Sequence, residues 1–222
     1  MIKENLNTIL SSLPPNVTLV AVSKTKLNEL IQEAYEAGQK DFGENYVQEL
    51  LEKEKTLPKD ISWHFIGHLQ SNKAKQIVPF VHLIHGVDSL KLLQEINKQA
   101  EKIGKKINCL LQIFIATEET KFGFSFEECE TLLRSEDFKK LNNINILGFM
   151  GMASNTDNLD QLRKEFRSLK DFSEKVKPIQ NSTFNIQHLS FGMSSDYKIA
   201  IEEGSTMIRV GSSIFGERNY NK

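Results

Sequence analysis

The sequence predicts an α/β protein, a single (β/α)8 barrel of parallel strands with an extra helix at its N-terminus. Short β-branched, apolar runs alternate with helix-like stretches, and we count eight strand-then-helix repeats in the 222 residues. Such alternation builds parallel sheets, and eight repeats close naturally into a barrel, for which this length lies at the low end. No linker or low-complexity segment divides the chain, so residues 1–222 are expected to form one domain. An open doubly wound sheet is the alternative, but no G-x-G-x-x-G motif follows the first strand.

The predicted strands are short apolar runs that end at glycine, serine or another polar residue. The first, residues 18–23, joins β-branched and aliphatic residues in the order Thr-Leu-Val-Ala-Val-Ser. The second, residues 41–43, is the shortest. The other six are residues 63–67, 83–87, 108–115, 147–151, 188–192 and 207–211.

Helix signals fill the intervals between the strands. Residues 1–13 carry Ile2, Leu6 and Ile9 at helical spacing, and Glu4 with several polar residues makes this an amphipathic helix packed on the domain rather than a signal peptide. Ser125 and Glu128 have capping-box spacing. The other predicted helices cover residues 27–38, 89–104, 159–176 and a shorter stretch from 194 to about 204.

Composition excludes several classes of function. The formal net charge is −1, with 26% charged and 39% hydrophobic residues. This balance gives no electrostatic case for nucleic-acid binding, and no apolar run is long enough to cross a membrane. Cys109 and Cys129 are the only cysteines, so neither a disulfide framework nor a cysteine zinc site is expected. A reduced, cytoplasmic protein is the simplest account.

Lys24 lies where the first strand gives way to a loop. Barrel enzymes place their chemistry at the carboxyl ends of the strands. A lysine amine deprotonated by burial or by a cationic neighbour can form a Schiff base with an aldehyde, and Lys26 is such a neighbour. Lysines are mostly exposed, so a solvated strand-end lysine is the alternative.

Two Gly-Ser turns follow the last two strands. One contains Ser194 and Ser195, and the next contains Gly211 and Ser212. Small residues let backbone N–H groups approach an anion, hydroxyls add donors, and the helix predicted to start near Ser194 adds its dipole. In barrels, the loops after strands seven and eight commonly bind phosphate. Simple helix capping is the alternative role for these serines.

Two further polar residues lie near the same end of the predicted sheet. Arg209 precedes Gly211 by two residues, so both point to the same side of the last strand. An arginine in so apolar a run needs an acceptor, either a structural carboxylate or a ring nitrogen of a cofactor. Asn45 follows the second strand and either faces the same site or caps the next helix.

His64 and His68 are the one histidine pair with a spacing that binds metals on a helix. His64 falls within a predicted strand, so the two rings would not share a face. We therefore expect no metal site.

Six motifs together resemble the pyridoxal-phosphate homeostasis protein family, also called the proline synthetase co-transcribed family. They are AVSKTK, FGENYVQE, WHFIGHLQSNKAK, HGVDS, GFMGMAS and LSFGMSSDYKIAIEEGSTMIRVGSSIFGER, spread from about residue 17 to residue 218. The long C-terminal block and the LQSNK segment are specific to this family. The resemblance implies a fold similar to the barrel domain of alanine racemase, with pyridoxal 5′-phosphate as the cofactor.

Carried over position by position, the resemblance gives each matching residue a role. Lys24 would hold the cofactor covalently as an aldimine. Arg209 would face the pyridine nitrogen, where a cation keeps that nitrogen unprotonated and weakens the ring as an electron sink. Ser194, Gly211 and Ser212 would hold the phosphate.

The resemblance also places three residues close to the cofactor. Asn45 would lie near the ring, and Lys26 and Lys73 match family lysines close to the site. No residue receives a catalytic role.

The resemblance favours a carrier that takes part in intracellular vitamin B6 homeostasis, buffering pyridoxal phosphate and delivering it to apo-enzymes. A pyridoxal-phosphate-dependent amino-acid racemase is the alternative. Racemisation needs an acid/base group on each face of the ring. In alanine racemase the second base is a tyrosine from another subunit, and a separate β domain completes the enzyme. The tyrosines of this chain do not match that role, and no residues remain for that domain. We therefore expect a monomer without appreciable turnover.

Two other classes explain less of the sequence. A Schiff-base aldolase without a cofactor would not need Arg209 aimed at a ring nitrogen. A basic binding module using Lys73 and Lys75 is disfavoured by the net charge of −1.

Overall fold

Eight parallel strands close into a barrel in sequence order, with the last strand paired to the first. The computed structural model that shows this describes residues 1–117 and 122–217. The predicted (β/α)8 barrel with an extra N-terminal helix is therefore confirmed. Arg218, which ends the segment resembling the known family, lies outside the described residues.

All eight strands fall where the sequence places them, although their ends differ. Strands β6 and β7 begin three and four residues before the predicted starts at 147 and 188. A register shift interrupts the β6–β7 pairing, and Gly148 takes a positive φ of 134° within it. The strands are β1 Thr18–Val22, β2 Asp41–Glu44, β3 Ser62–Phe65, β4 Leu83–Val87, β5 Ile107–Ile113, β6 Ile144–Gly151, β7 Phe184–Ser190 and β8 Met207–Val210.

The helices lie between the strands and cover the barrel. The predicted capping box is present, because the Ser125 hydroxyl and the Glu128 carboxylate each accept the other residue's backbone N–H. In the part of the chain described, no helix is long and apolar enough to cross a membrane. The α-helices are α1 Ile2–Ser12, α2 Asn28–Glu36, α3 Val47–Thr56, α4 Ala74–Ile77, α5 Leu90–Lys102, α6 Phe126–Arg134, α7 Glu136–Lys139, α8 Leu159–Val176, α9 Tyr197–Glu202 and α10 Ser212–Phe215.

The buried apolar side chains form two layers. The larger layer packs the outer faces of the strands against the helices. The smaller fills the barrel interior, with one side chain each from β1, β4, β5, β6 and β8: Val20, Leu83, Leu110, Met150 and Met207. Successive residues of a strand point to opposite faces. A residue two or four positions after one of these interior residues on the same strand therefore also faces inward.

Candidate functional site

A cavity of about 480 Å³ opens at the carboxyl ends of the strands. All six residues that the sequence nominated line this one cavity. They are Lys24, Asn45, Ser194, Arg209, Gly211 and Ser212.

Strand alternation explains how these residues come together. On β1, Val20 faces the barrel interior, Val22 lines the cavity, and Lys24 follows two residues later. On β8, Met207 faces the interior, and Arg209 and Gly211 follow at the same spacing. Neighbouring strands β1 and β8 are paired. The lysine and arginine therefore enter the cavity from adjacent parts of its wall.

The backbone around Lys24 is a tight and conformationally unusual turn. The carbonyl of Ser23 accepts the N–H of Lys26 at 3.0 Å. Between them Thr25 takes φ 62°, the single positive φ outside glycine among the described residues. A β-branched residue rarely adopts this conformation, so the surrounding structure must hold it. One such contact is the bond from the Thr25 N–H to Glu49 Oε1 at 2.6 Å.

Lys26 fixes the other side of this turn. Its ammonium donates to three consecutive backbone carbonyls at the end of α10, those of Phe215 at 3.3 Å, Gly216 at 2.9 Å and Glu217 at 2.9 Å. Lys26 also lines the cavity. Through these three hydrogen bonds, Lys26 links the Lys24 turn to the segment that follows β8.

A buried ion-pair cluster supports the Lys24 turn from behind. Lys53 of α3 donates to Glu44 Oε1 at 2.8 Å, to Glu49 Oε1 at 2.5 Å and to the Ser23 carbonyl at 2.8 Å. The Ser23 hydroxyl also donates to Glu44 Oε1 at 2.6 Å. Only 4% of the Lys53 side chain and none of the Glu44 side chain is exposed. The cluster therefore contacts the residues on both sides of Lys24.

Burial raises the pKa of Glu44 to about 7, while Lys53 and the Ser23 hydroxyl oppose that rise. The other carboxylate oxygen of Glu44, Oε2, is buried without a hydrogen-bond partner among the described residues. Sequence analysis missed this cluster. The four-residue spacing of Glu49 and Lys53 on a helix was the available signal, but it does not show that both side chains lie under a strand end.

Arg209 is buried and held by oxygen acceptors. Its Nη1 donates to the carbonyl and to the hydroxyl of Ser190, each at 2.7 Å, and its Nη2 donates to the Gly151 carbonyl at 3.1 Å. These acceptors replace the structural carboxylate considered from the sequence. Burial lowers the pKa of Arg209 to about 10, and the nearby charge of Asp196 opposes this shift. The guanidinium is therefore still a cation at neutral pH.

A chain of hydrogen bonds continues from Arg209 through the barrel interior. The Ser190 hydroxyl is 2.9 Å from His85 Nδ1, and His85 Nε2 is 2.9 Å from His64 Nδ1. His64 Nε2 is in turn 2.9 Å from Asp41 Oδ1. Arg209 can only donate and a carboxylate can only accept. The protons of the chain therefore all point from Arg209 towards Asp41. Sequence analysis did not predict this connection, because its members come from five different strands.

The two Gly-Ser turns meet at one end of the cavity. The Gly211 N–H donates to the Ser194 hydroxyl at 3.2 Å, and Ser195 and Ser213 line the cavity beside them. One prediction here is wrong. The helix expected to start near Ser194 is α9, which begins at Tyr197. A turn precedes it, because Asp196 Oδ1 accepts the Met193 N–H at 2.6 Å, so the dipole of α9 does not begin at Ser194.

Asn45 lines the cavity and is not the N-cap of α3. The N-cap of α3 is Tyr46, and its side chain makes no capping bond. The Oδ1 atom of Asn45 is buried and has no hydrogen-bond partner in the described part of the chain. The backbone of Gly67 packs so closely on Asn45 that a Cβ at Gly67 would clash with it. Lys73 lies in an adjoining cavity of about 300 Å³, which Asn45 also lines.

Comparison with known proteins places the chain in a family. Residues 1–219 match the family model described as "Alanine racemase, N-terminal domain". The chain is 40% identical over 212 residues to the pyridoxal phosphate homeostasis protein of Synechocystis sp., with 95% of each protein covered. The chain belongs to the pyridoxal phosphate homeostasis protein family.

Solved structures agree with this membership. PipY of Synechococcus elongatus, a protein solved both without and with pyridoxal phosphate bound, matches 97% of this chain and 100% of its own. The TM-scores are 0.90 and 0.87, at 36% and 35% identity. An alanine racemase of Clostridium difficile has a TM-score of 0.82 at 18% identity, and 57% of that chain is covered. This more distant likeness shows the shared barrel fold alone.

Proposed function

We propose that this member of the pyridoxal phosphate homeostasis protein family binds pyridoxal 5′-phosphate in the 480 Å³ cavity, buffers it and passes it to apo-enzymes. The observation that carries the proposal is the convergence of Lys24, Arg209 and two serine turns on one cavity. An amine for the aldehyde, a cation for the ring nitrogen and hydroxyls for the phosphate match the three polar parts of the cofactor. The solved PipY structure with pyridoxal phosphate supports the same ligand.

The residues of the cavity fit the rest of the cofactor as well. Val22, Ile66 and Met152 supply apolar surface for the two faces of an aromatic ring. The buried, unpartnered Oδ1 of Asn45 needs a donor. A ring hydroxyl group would satisfy it, and we propose that Asn45 contacts the ring in this way.

Lys24 is the proposed attachment point. The cofactor would supply an aldehyde, and Lys24 would supply the amine that holds it reversibly. The turn containing Thr25 fixes the direction of Lys24, and the Lys53 cluster holds that turn. Ser194, Gly211 and Ser212 are the proposed phosphate contacts, with backbone N–H and hydroxyl donors rather than lysines. The proposed covalent bond to Lys24 therefore forms after β1, whereas the proposed phosphate contacts lie after β7 and β8.

Arg209 favours storage of the cofactor over catalysis. Its guanidinium is protonated at neutral pH and is held in place by Ser190 and Gly151. A donor cation opposite the ring nitrogen disfavours protonation of that nitrogen, and this weakens the ring as an electron sink.

The described residues that line the cavity do not supply the second base that a racemase needs. Among the described residues that line it, Lys24, Lys26 and Arg209 carry the titratable side chains, and no carboxylate, histidine or tyrosine is present. Lys26 is bound to three carbonyls. We therefore propose that the chain has no appreciable racemase, transaminase or decarboxylase turnover.

Two measurements test the carrier function. The loaded protein, freed of excess cofactor, should activate a pyridoxal-phosphate-dependent apo-enzyme, and Lys24→Ala protein treated identically should deliver far less. Incubation of the loaded protein with amino acids in deuterated water should leave their α-protons in place. Rapid exchange that requires Lys24, without activation of the apo-enzyme, would identify an enzyme instead.

We further propose that the chain acts as a monomer of one domain in the cytoplasm. The eight strands of one chain close on themselves, so the barrel leaves no open sheet edge for a second subunit to extend. Cys109 and Cys129 are both free and buried, and burial raises the pKa of both thiols. Such thiols are unreactive and suit a reducing compartment. Light scattering gives the molar mass of the loaded protein in solution and so tests whether it is a monomer.

A further inference from the structure

A second cluster of polar side chains lies at the opposite, amino-terminal mouth of the barrel. Asp41 opens β2, His64 lies on the neighbouring β3, and His82 directly precedes β4. One potential ligand atom from each residue lies within 4.8 Å of those of the other two. We propose that Asp41, His64 and His82 bind a divalent transition-metal ion of the zinc class, independently of pyridoxal phosphate.

The donor set is the first argument. Two imidazole nitrogens and one carboxylate oxygen are typical of three-ligand zinc sites that leave a fourth position to water. Zinc–ligand distances of about 2.0–2.2 Å place tetrahedral ligands roughly 3.3 Å apart. His64 Nε2 and Asp41 Oδ1 are 2.9 Å apart, so a small opening of this contact would admit the ion in place of the hydrogen they share.

The sequence analysis considered a different pair, His64 and His68, and expected no metal site. His68 does not join the cluster, because it follows the carboxyl end of β3, where its Nδ1 lies 3.0 Å from Asp88 Oδ2. The partners of His64 come from the adjacent strands, at sequence distances of 23 and 18 residues. No spacing rule for a single helix or loop reveals such a group, whereas parallel strands bring it together.

His64 is held as metal-binding histidines usually are. Only 1% of its side chain is exposed, and its Nδ1 lies 2.9 Å from His85 Nε2, which is itself anchored through Nδ1 on the Ser190 hydroxyl. Ligating histidines generally donate a hydrogen bond from the second ring nitrogen, which fixes the ring orientation. When Nε2 of His64 gives up its proton to bind the ion, Nδ1 carries the ring proton and donates to His85 Nε2, and His85 Nδ1 in turn donates to the Ser190 hydroxyl. The orientation of His64 is therefore set before any ion arrives.

Access from solvent also suits an ion. The Asp41 side chain is 32% exposed and His82 is exposed. These two residues give an ion a path from solvent and leave room for a water ligand.

Titration of the untagged, full-length protein with Zn²⁺ against a chromophoric chelator tests the site. We expect one ion per chain with a dissociation constant in the micromolar range or below, both with and without pyridoxal phosphate. His82→Ala should weaken binding at least tenfold. His68→Ala is the matched control, since it removes an exposed histidine outside the cluster, and it should bind as the parent does.

Co²⁺ provides an independent readout of geometry. The parent and His68→Ala proteins should show the visible absorption bands of a four-coordinate ion, and His82→Ala should lose them. Because His82 is exposed, a circular dichroism spectrum should confirm that its variant is folded. Absence of stoichiometric Zn²⁺ binding below about 100 µM, or equal affinities of the His82→Ala and His68→Ala proteins, would overturn the proposal.

Discussion

Replacing Lys53 with methionine tests whether the buried cluster behind Lys24 is needed. The substitution keeps a long side chain but removes three hydrogen bonds, to Glu44, Glu49 and the Ser23 carbonyl. Breaking a buried ion pair by removing one partner costs about 3–5 kcal/mol, because an uncompensated charge remains. We expect a loss of that size in the free energy of unfolding at pH 8.

The loss should depend on pH in a defined direction. The folded-state pKa of Glu44 is raised, to about 7, so the stability linked to its proton is present at low pH and fades as pH rises through that value. Without Lys53 the pKa rises further, and each additional unit is worth about 1.4 kcal/mol. Lys53→Met should therefore cost less at pH 6, where Glu44 is protonated, than at pH 8.

Urea unfolding of the cofactor-free protein at both pH values measures this effect. The Glu44→Gln, Lys53→Met double variant should lose this pH dependence, because the buried carboxyl group with the raised pKa is gone. Lys40→Met, which breaks the exposed pair of Lys40 with Asp60, is the control and should change stability little at either pH. Equal costs of Lys53→Met at pH 6 and pH 8, as small as those of Lys40→Met, would refute the reasoning.

Three further predictions concern the barrel interior and the cavity. Ser190→Ala removes an acceptor from Arg209 and should cost about 1–3 kcal/mol in urea unfolding; an unchanged midpoint would count against that anchor. Gly148→Ala should lower the free energy of unfolding by about 1–3 kcal/mol because of its positive φ, and by a similar amount because its Cβ would clash with the His188 carbonyl. Gly38→Ala also has a positive φ but meets no atom within 4 Å, so it should lose only the first amount. Pyridoxal should bind more than about 100-fold more weakly than its phosphate ester, since two charge-assisted hydrogen bonds at about 1.5 kcal/mol each are lost; similar affinities in a titration would exclude the phosphate site.

The sequence was sufficient to predict the barrel because the strand and helix patterns repeat eight times. It located every strand but misjudged the starts of β6 and β7. Gly148, with its positive φ, and the register shift beside it break the alternation on which strand recognition depends. The first half of β7 alternates apolar Phe184 and Ile186 with the exposed Asn185 and Gln187, which is a strand signal that the prediction missed.

The cavity residues were predictable for a related reason. Lys24, Arg209 and Gly211 continue the inward alternation of their own strands, so local spacing is enough to place them. The start of α9 was not predictable in this way. The turn before Tyr197 is closed by the Asp196 side chain on the Met193 N–H and by two backbone bonds to the Met193 carbonyl.

Contacts between strands could not be read from local spacing. The Lys53 cluster joins the end of β1, β2 and α3, and the hydrogen-bond chain from Arg209 to Asp41 involves five strands. Both depend on which side chains the closed barrel brings face to face.

Borohydride reduction followed by peptide mapping tests the central claim most directly. Protein saturated with one equivalent of pyridoxal phosphate should lose its imine absorbance on reduction, and the pyridoxyl group should be found on the peptide containing Lys24. Lys24→Ala should show no such band. A label on Lys26, Lys73 or any other lysine of the parent protein under these conditions would contradict the proposed attachment at Lys24.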